Sequence, residues 1–254
     1  NFQGTIISCS RLSSLPVDLF RYNTLNGNFN TTFQGCSSLT TIDVNLFRYN
    51  SVNSSFQQTF QAAGLTSIPA DLFRYNTSAT NFGYCFTSNP ISSIPAGLFQ
   101  YNTNMTQAGG IFWGCSNLTS VPSGLFSNNS SITNFGSYIG GQGVFAGCTS
   151  LVSIPTDLFN NCPNVTSYQQ AFAGCTNLNI NVSSLVSGMT MTAVTTTNQM
   201  FSGCTNLTGN GQDLIDKPKA AGYTVGTGSG TGSYRTFFNC TSLSDFATIS
   251  ANYK

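Results

Sequence analysis

One phrase recurs along this chain. FQGCSSLTTIDVNLF begins at Phe33, FWGCSNLTSVPSGLF at Phe112 and FAGCTSLVSIPTDLF at Phe145. Aligning aromatic-x-Gly-Cys-x-x-Leu-x-x-Ile-Pro-x-x-Leu-Phe places starts at Ile6, Phe33, Phe60, Phe86, Phe112, Phe145, Phe172, Phe201 and Phe237. The spacings are 27, 27, 26, 26, 33, 27, 29 and 36 residues. A unit this short cannot enclose its own apolar residues, but a stack of such units can bury them in continuous columns. The repeat occupies the whole chain, so residues 1–254 are read as a single solenoid that starts mid-repeat and ends in a partial coil. The expectation at Asn1 is a mature or truncated segment of a longer protein.

The residues of one unit suggest its local structure. LTSIP (Leu65 to Pro69) is a short β-branched run stopped by proline, which reads as a strand. PADLFRYN (Pro69 to Asn76) has proline at the first helical position, Asp71 in the first turn and Asn76 for the last, which predicts about two turns of helix burying Leu72 and Phe73. An extended stretch such as NVTSY (Asn164 to Tyr168) follows, and QQAFAGC closes the coil with Phe172 inward and Gly174 in a tight turn. Parallel strands at ~4.8 Å per coil would satisfy one another's backbone groups. The units from Phe172 and Phe201 depart from the pattern, with NINVSSLV and TGNGQDLI where Ile-Pro should stand, so strand and helix starts are not marked there.

These motifs resemble the BspA-like leucine-rich repeats of bacterial surface proteins. Phe112, Gly114, Cys115, Leu118, Val121, Pro122, Leu125 and Phe126 carry the resemblance in one unit. Phe145, Gly147, Cys148, Leu151, Ile154, Pro155, Leu158 and Phe159 carry it in another, and it covers essentially the full chain. It implies an α/β solenoid: a leucine-rich-repeat-like right-handed stack of about nine coils with short parallel strands and short helices. For function it implies adhesion or recognition at a cell surface, at positions other than these scaffold residues.

Composition narrows the function further. Only 6% of residues are charged, against roughly 25% in ordinary globular domains. Net charge is +1, which gives a nucleic-acid role little support. No apolar run approaches the ~20 residues of a membrane span. Histidine and glutamate are absent, and Asp213 with Asp216 is the only close acidic pair, beside Lys217 and Lys219 that read as helix-end charges. General acid–base or cysteine-nucleophile chemistry would lack its partners, so no catalytic residue and no cofactor are expected.

Seven of the nine cysteines, Cys9, Cys36, Cys115, Cys148, Cys175, Cys204 and Cys240, occupy one repeat position. Disulfides or a metal would be the functional readings, yet there is no Cys-x-x-Cys, and the same slot holds Ala63 and Asn89. In-register side chains also point in parallel, where a disulfide needs them to converge. The expectation is a column of buried free thiols with no metal, each a small, weakly polar plug, while Cys85 and Cys162 lie off it and more accessible.

Several repeated residues are candidate ligand contacts. Tyr22, Tyr49, Tyr75 and Tyr101 recur in successive LF-x-Y-N segments. They could form a strip of rings that stacks on sugars, or each ring could pack on the next coil with its hydroxyl wet, the plainer reading. Arg21, Arg48 and Arg74 stand beside them and must be solvated or paired; Asp18 and Asp71 lie three residues before two of them, Asn45 before Arg48. Ser14, Thr41, Ser67, Ser93, Ser120 and Ser153 should face outward as a hydroxyl strip, which an ordinary solvated strand face would equally produce. Two insertions, GSYIGGQG from Gly136 and YTVGTGSGTGSYR from Tyr223, add Tyr138, Tyr223 and Tyr234 as candidates. Such insertions are either flexible loops or partner-binding ones. Asn-x-Ser/Thr triplets at Asn104, Asn117, Asn164 and Asn206 matter only in a glycosylating host.

The reading is a non-catalytic extracellular adhesion or recognition protein of a bacterial cell surface, with a host-surface glycan or protein as partner, no nucleic acid, no membrane insertion, and a possible oligomer or larger assembly. A phage tail-associated receptor-binding protein of the virion is the alternative, since few charges and many Gly, Asn, Ser and Thr also suit an exposed fibre. An ice- or crystal-binding solenoid is a third reading, against which the irregular spacings after Phe112 count.

Overall fold

Along the aromatic-x-Gly-Cys segment, successive backbone N–H groups alternate between two kinds of acceptor. Phe29, Thr31, Phe33 and Gly35 donate to the carbonyls of Ser55, Gln57, Thr59 and Gln61 in the following coil, at 3.0, 2.9, 2.9 and 2.8 Å. Thr32, Gln34 and Cys36 between them donate three residues back, to Phe29, Thr31 and Phe33. The same rule operates from Phe56 to Ala63 and again from Tyr168 to Cys175. This computed structural model describes residues 2–23, 27–51, 54–136, 142–220 and 232–254, with the side chains at 219 and 220 outside the description.

The alternation requires a repeated left-handed backbone. Thr31 and Gly35 have φ of 55° and 72°, Gln58 and Ala62 57° and 52°, Gln170 and Gly174 57° and 75°. Most coils thus carry two such residues four apart, the coil of Phe145 having Gly147 alone, and a non-glycine there costs roughly 1–2 kcal/mol, offset by the hydrogen bonds on either side. At Gly110 (φ 66°) glycine is also a steric necessity, because a Cβ would lie 2.2 Å from the ring of Tyr84.

Parallel stacking is present, but the expected strands reduce to isolated bridges. One line of them runs Ser55, Asn81, Gln107, Asn134, Ser167, Thr196, Gly232. At the Leu-x-x-Ile segments, where strands were predicted, Ser120 and Ser153 form a single bridge and the other described contacts are lone bonds such as Thr66 N–H to Thr40 at 3.1 Å. The extended stretch is too short for a ladder, and prolines such as Pro69 and Pro95 end it without an N–H to donate.

The helix predicted over Pro69–Asn76 is also absent. Leu72, Arg74 and Asn76 donate to Pro69, Asp71 and Phe73, a run of three-residue turns. A segment of eight residues that starts at a proline and ends at an anchored asparagine does not repay the cost of helix nucleation. The α-helices stand instead where the Ile-Pro pattern fails: α1 (Val182–Gly188) and α2 (Gln212–Ala220). The Oδ1 atom of Asn181 caps α1 at Ser184 N–H. Asp245 of the last coil accepts from Gly211 and Gln212 at the start of α2. Lys217 is more than a helix-end charge: its Nζ donates to the carbonyls of Val186 and Ser187, closing the C-terminal end of α1.

The core is a set of columns. Phe33, Phe60, Phe86, Phe112, Phe145, Phe172, Phe201 and Phe237 stack face to face at centroid distances of 5.3 to 6.0 Å. A second column runs Phe20, Phe47, Phe73, Phe99, Phe126. Phe2, Phe29, Phe56 and Phe82 form a third, which the sequence reading did not single out. Aromatic pairs of this kind add about 0.5–1.5 kcal/mol each beyond their buried area.

A polar column runs through the same interior. The Nδ2 atom of Asn76 donates to the carbonyls of Phe47 and Asn50, that of Asn102 to Phe73 and Asn76, and that of Asn129 to Phe99 and Asn102. Asn50 does the same to Phe20 and Asn23. Each amide therefore ties its coil to the preceding one, while its own Oδ1 atom is buried without a partner among the described residues.

Phe145→Ala should cost about 3–5 kcal/mol and loosen the adjoining coils, read by chemical denaturation. Asn102→Asp puts an acceptor against two carbonyls. Its folded pKa must then rise above the unfolded value, so its stability deficit should be largest at neutral pH and shrink as pH falls. Asn102→Ala should lose about 1–3 kcal/mol with no such pH dependence.

Candidate functional site

The LF-x-Y-N turn decides which side chains reach the surface. Leu72, Phe73 and Asn76 are buried, so Arg74 and Tyr75 between them are pushed outward. The same arithmetic brings out Arg48 with Tyr49, while in the first coil, where Leu19 is half-buried and Asn23 exposed, Arg21 and Tyr22 stand out on the buried Phe20 alone, and the stacking of coils aligns the pairs. Tyr22 is 86% exposed, Tyr75 40% and Tyr101 39%, while Tyr49 is half-buried.

The four tyrosines and three arginines interleave. The guanidinium of Arg21 lies 5.6 Å from the Tyr22 ring and 5.8 Å from that of Tyr49. Arg48 sits 5.5 Å from Tyr49 and 6.0 Å from Tyr75, and Arg74 5.8 Å from Tyr75 and 5.5 Å from Tyr101. Each cation thus bridges two rings of successive coils, at about 0.5–1 kcal/mol per exposed contact. The rings pack on arginine rather than on one another. The expected i,i+3 pairs are present but long, Arg21–Asp18 at 3.7 Å and Arg74–Asp71 at 3.9 Å. Arg48 makes no ion pair and no side-chain hydrogen bond among the described residues, and the four phenol oxygens make no hydrogen bond among them either. Sequence reasoning considered the arginines and the tyrosines separately; the signal that joins them is the Arg-Tyr adjacency repeated once per coil.

Other candidates lie apart from this strip. Tyr234 is half-buried on a late coil, its ring 5.3 Å from the Arg235 guanidinium, which also lies 4.9 Å from Phe238. Tyr138 and Tyr223, with most of both insertions, lie outside the described residues. Ser14, Thr41, Ser67, Ser93, Ser120 and Ser153 are all exposed, as expected. A second hydroxyl line was not anticipated: Thr80, Thr106, Thr133, Thr166 and Thr195 each donate through Oγ1 to the preceding coil, the last four to the carbonyls of Thr80, Thr106, Thr133 and Thr166. Among the described residues no group of three or more His, Cys, Asp or Glu could hold a metal ion, and no helix is long and apolar enough to cross a membrane.

All nine cysteines are free thiols, and eight are buried. Two expectations are corrected here. Cys9, in the first described coil, is exposed, whereas the Cys36 thiol one coil on is covered by that first coil and lies 3.0 Å from the Ile6 carbonyl. Cys85 and Cys162 are fully buried: Cys85 lies between Phe82 and Phe86 in the core, and Cys162 occupies the slot that asparagine fills in earlier coils. The column thiols act as donors as well as plugs. Cys115, Cys148, Cys175 and Cys204 donate to the carbonyls of Phe86, Phe112, Phe145 and Phe172 at 3.1 to 3.2 Å. Asn89 in the same slot donates to Phe60 at 2.7 Å. Burial pushes the thiols of Cys115, Cys162, Cys175 and Cys240 up to about 12.

No family model and no curated protein matches the chain. Solved structures that it resembles include leucine-rich-repeat proteins. The APL1 leucine-rich repeat domain shares 18% identity over 56% of this chain and 36% of its own, with a TM-score of 0.38. Toll in the Drosophila Toll–Spatzle complex shares 17% over 67% of this chain and 25% of its own, at 0.33. A leucine rich cell surface protein of Faecalibacterium prausnitzii shares 16% over 91% of this chain and 82% of its own, at 0.22. The chain spans 36% and 62% of the lengths of two leucine-rich-repeat domains, APL1 and APL1B.

The thiol environments give a direct expectation. Native protein treated with iodoacetamide near pH 8 should be alkylated at Cys9 alone, and denatured protein at all nine, as read by mass spectrometry. Rapid native labelling of Cys85 or Cys162 would contradict the assigned burial.

Proposed function

We propose that this protein is a non-catalytic extracellular recognition protein of a bacterial cell surface, and that Tyr22, Tyr49, Tyr75 and Tyr101 hold its glycan or protein partner. The observation that carries this reading is the strip itself. Aromatic rings in register, three exposed and Tyr49 half-buried, with phenol oxygens that make no hydrogen bond among the described residues, stand on a scaffold tied together coil by coil. Rings of this kind offer large apolar faces at low entropic cost, with a polar edge for hydroxyls. The absence of histidine and glutamate from the sequence supports a binding role over chemistry, as does the alkaline displacement of the buried thiols.

The test contrasts two surfaces. Tyr49→Ala combined with Tyr75→Ala removes adjacent rings, and deleting Gly226 to Thr231 shortens the late insertion while keeping Gly232, whose carbonyl accepts from Thr197 N–H. The double substitution should abolish attachment to host cells or to an arrayed glycan; it removes four ring–cation contacts of about 0.5–1 kcal/mol each, so melting should drop by several degrees but remain one cooperative transition. The shortened protein should attach normally. Attachment lost only in the shortened protein would move recognition to the insertion and overturn the assignment.

A further inference from the structure

The Tyr22–Tyr101 strip has a charge pattern that narrows its ligand, on the reading that it is a recognition surface. We propose that it binds an acidic polysaccharide, a chain of pyranoses carrying carboxylate or sulfate groups at regular intervals, with Arg48 as the central anion contact. Three of the chain's eight basic residues lie in this strip. Asp18 and Asp71 partly neutralise the outer two, while Arg48 has Asn45 at the matching position. Its guanidinium is held by rings on two sides, and it makes no side-chain hydrogen bond among the described residues. Contact with ring faces does not consume N–H donors, so the five of Arg48 are available for a bidentate acid group.

The repeat of the strip points to a polymer. Phe20, Phe47, Phe73 and Phe99, buried beneath the strip, step by 6.0, 6.2 and 6.1 Å. A ligand with the same charged ring in every unit can make the same contact coil after coil and gains by multivalency. Tyr22 and Tyr101, each with one cation over its ring, keep a face for the apolar side of a pyranose, while Tyr49 and Tyr75, with a cation on either side, present edges and phenol hydroxyls to sugar hydroxyls; an acidic polypeptide offers neither partner along its length. The footprint ends where the pairs change to Ser127 with Asn128 and Asn160 with Asn161, so the late coils should not contribute.

The test measures binding of the full chain to polygalacturonate, heparin, neutral dextran and polyglutamate by titration calorimetry at two salt concentrations. The expected result is binding to polygalacturonate or heparin, the two arms separating carboxylate from sulfate, that weakens with salt and exceeds binding to dextran and polyglutamate. Arg48→Gln should weaken it about tenfold, the worth of one charge-assisted hydrogen bond, with melting lowered by only a few degrees through loss of its two ring contacts. Arg48→Lys should restore part of the loss. Equal binding to polyglutamate, or Arg48→Gln binding like the parent, overturns the proposal. Dextran bound equally well and lost in the Tyr49→Ala, Tyr75→Ala protein would overturn the anionic assignment while leaving the strip as the recognition surface. Binding to none of the four probes overturns the acidic-polysaccharide proposal, and the host-cell contrast then decides the strip's role separately.

Discussion

The alternating fate of backbone N–H groups is the constraint on which the rest of the structure depends. Every second N–H of the aromatic-x-Gly-Cys segment leaves its coil for the next, so no coil satisfies its own main chain. Carbonyls facing the opposite way then need donors from the coil that follows. Cysteine and asparagine are two answers to that one requirement, placed at different corners. The Cys115 thiol reaches Phe86, and the Asn102 amide reaches Phe73. The chain exchanges the two in both directions: Asn89 fills a cysteine slot and bonds Phe60, while Cys162 fills an asparagine slot with its sulfur 4.0 Å from Phe126. Cysteine recurs because a small apolar atom group with a weak donor closes that carbonyl at little desolvation cost.

What the sequence revealed of the fold was whatever repeats and is apolar. The column Phe33 to Phe237 and the buried thiols could be read from spacing, because a short unit has only one way to hide its large side chains. The helix over Pro69–Asn76 and the continuous strands were misread, since both rested on local propensity. Here the pull of the Asn76 amide into the preceding coil and the donation of alternate N–H groups override it. The left-handed pairs at Gln58 with Ala62 and at Gln170 with Gly174 had almost no local signal, because glycine marks only some of them. Contacts some 26 to 30 residues away in sequence are invisible until the register of stacking is known.

The site was legible in a different way. Tyr22, Tyr49, Tyr75 and Tyr101 could be aligned from the sequence, but their neighbours could not be assigned. Considering rings and cations as separate rows left the arginines as a repelling file. The structure resolves that difficulty by placing a ring on each side of every guanidinium.

Scaffold and surface are thereby decoupled within a single turn. In Leu-Phe-x-x-Asn the first, second and fifth residues belong to the core, and the two between them carry no packing duty. They read Arg-Tyr, Arg-Tyr, Arg-Tyr, Gln-Tyr, Ser-Asn and Asn-Asn from Arg21 to Asn161. The arginine-tyrosine pairs occupy consecutive coils, and physics favours such a run. A lone arginine in this slot would have a single ring beside it, and tyrosine alone would leave its face bare to water. In a run each new coil supplies a ring for the previous cation and a cation for its own ring, so every addition lowers the cost of the next. The strip is therefore favoured as a block, and it stops abruptly where Ser127 and Asn128 break the exchange.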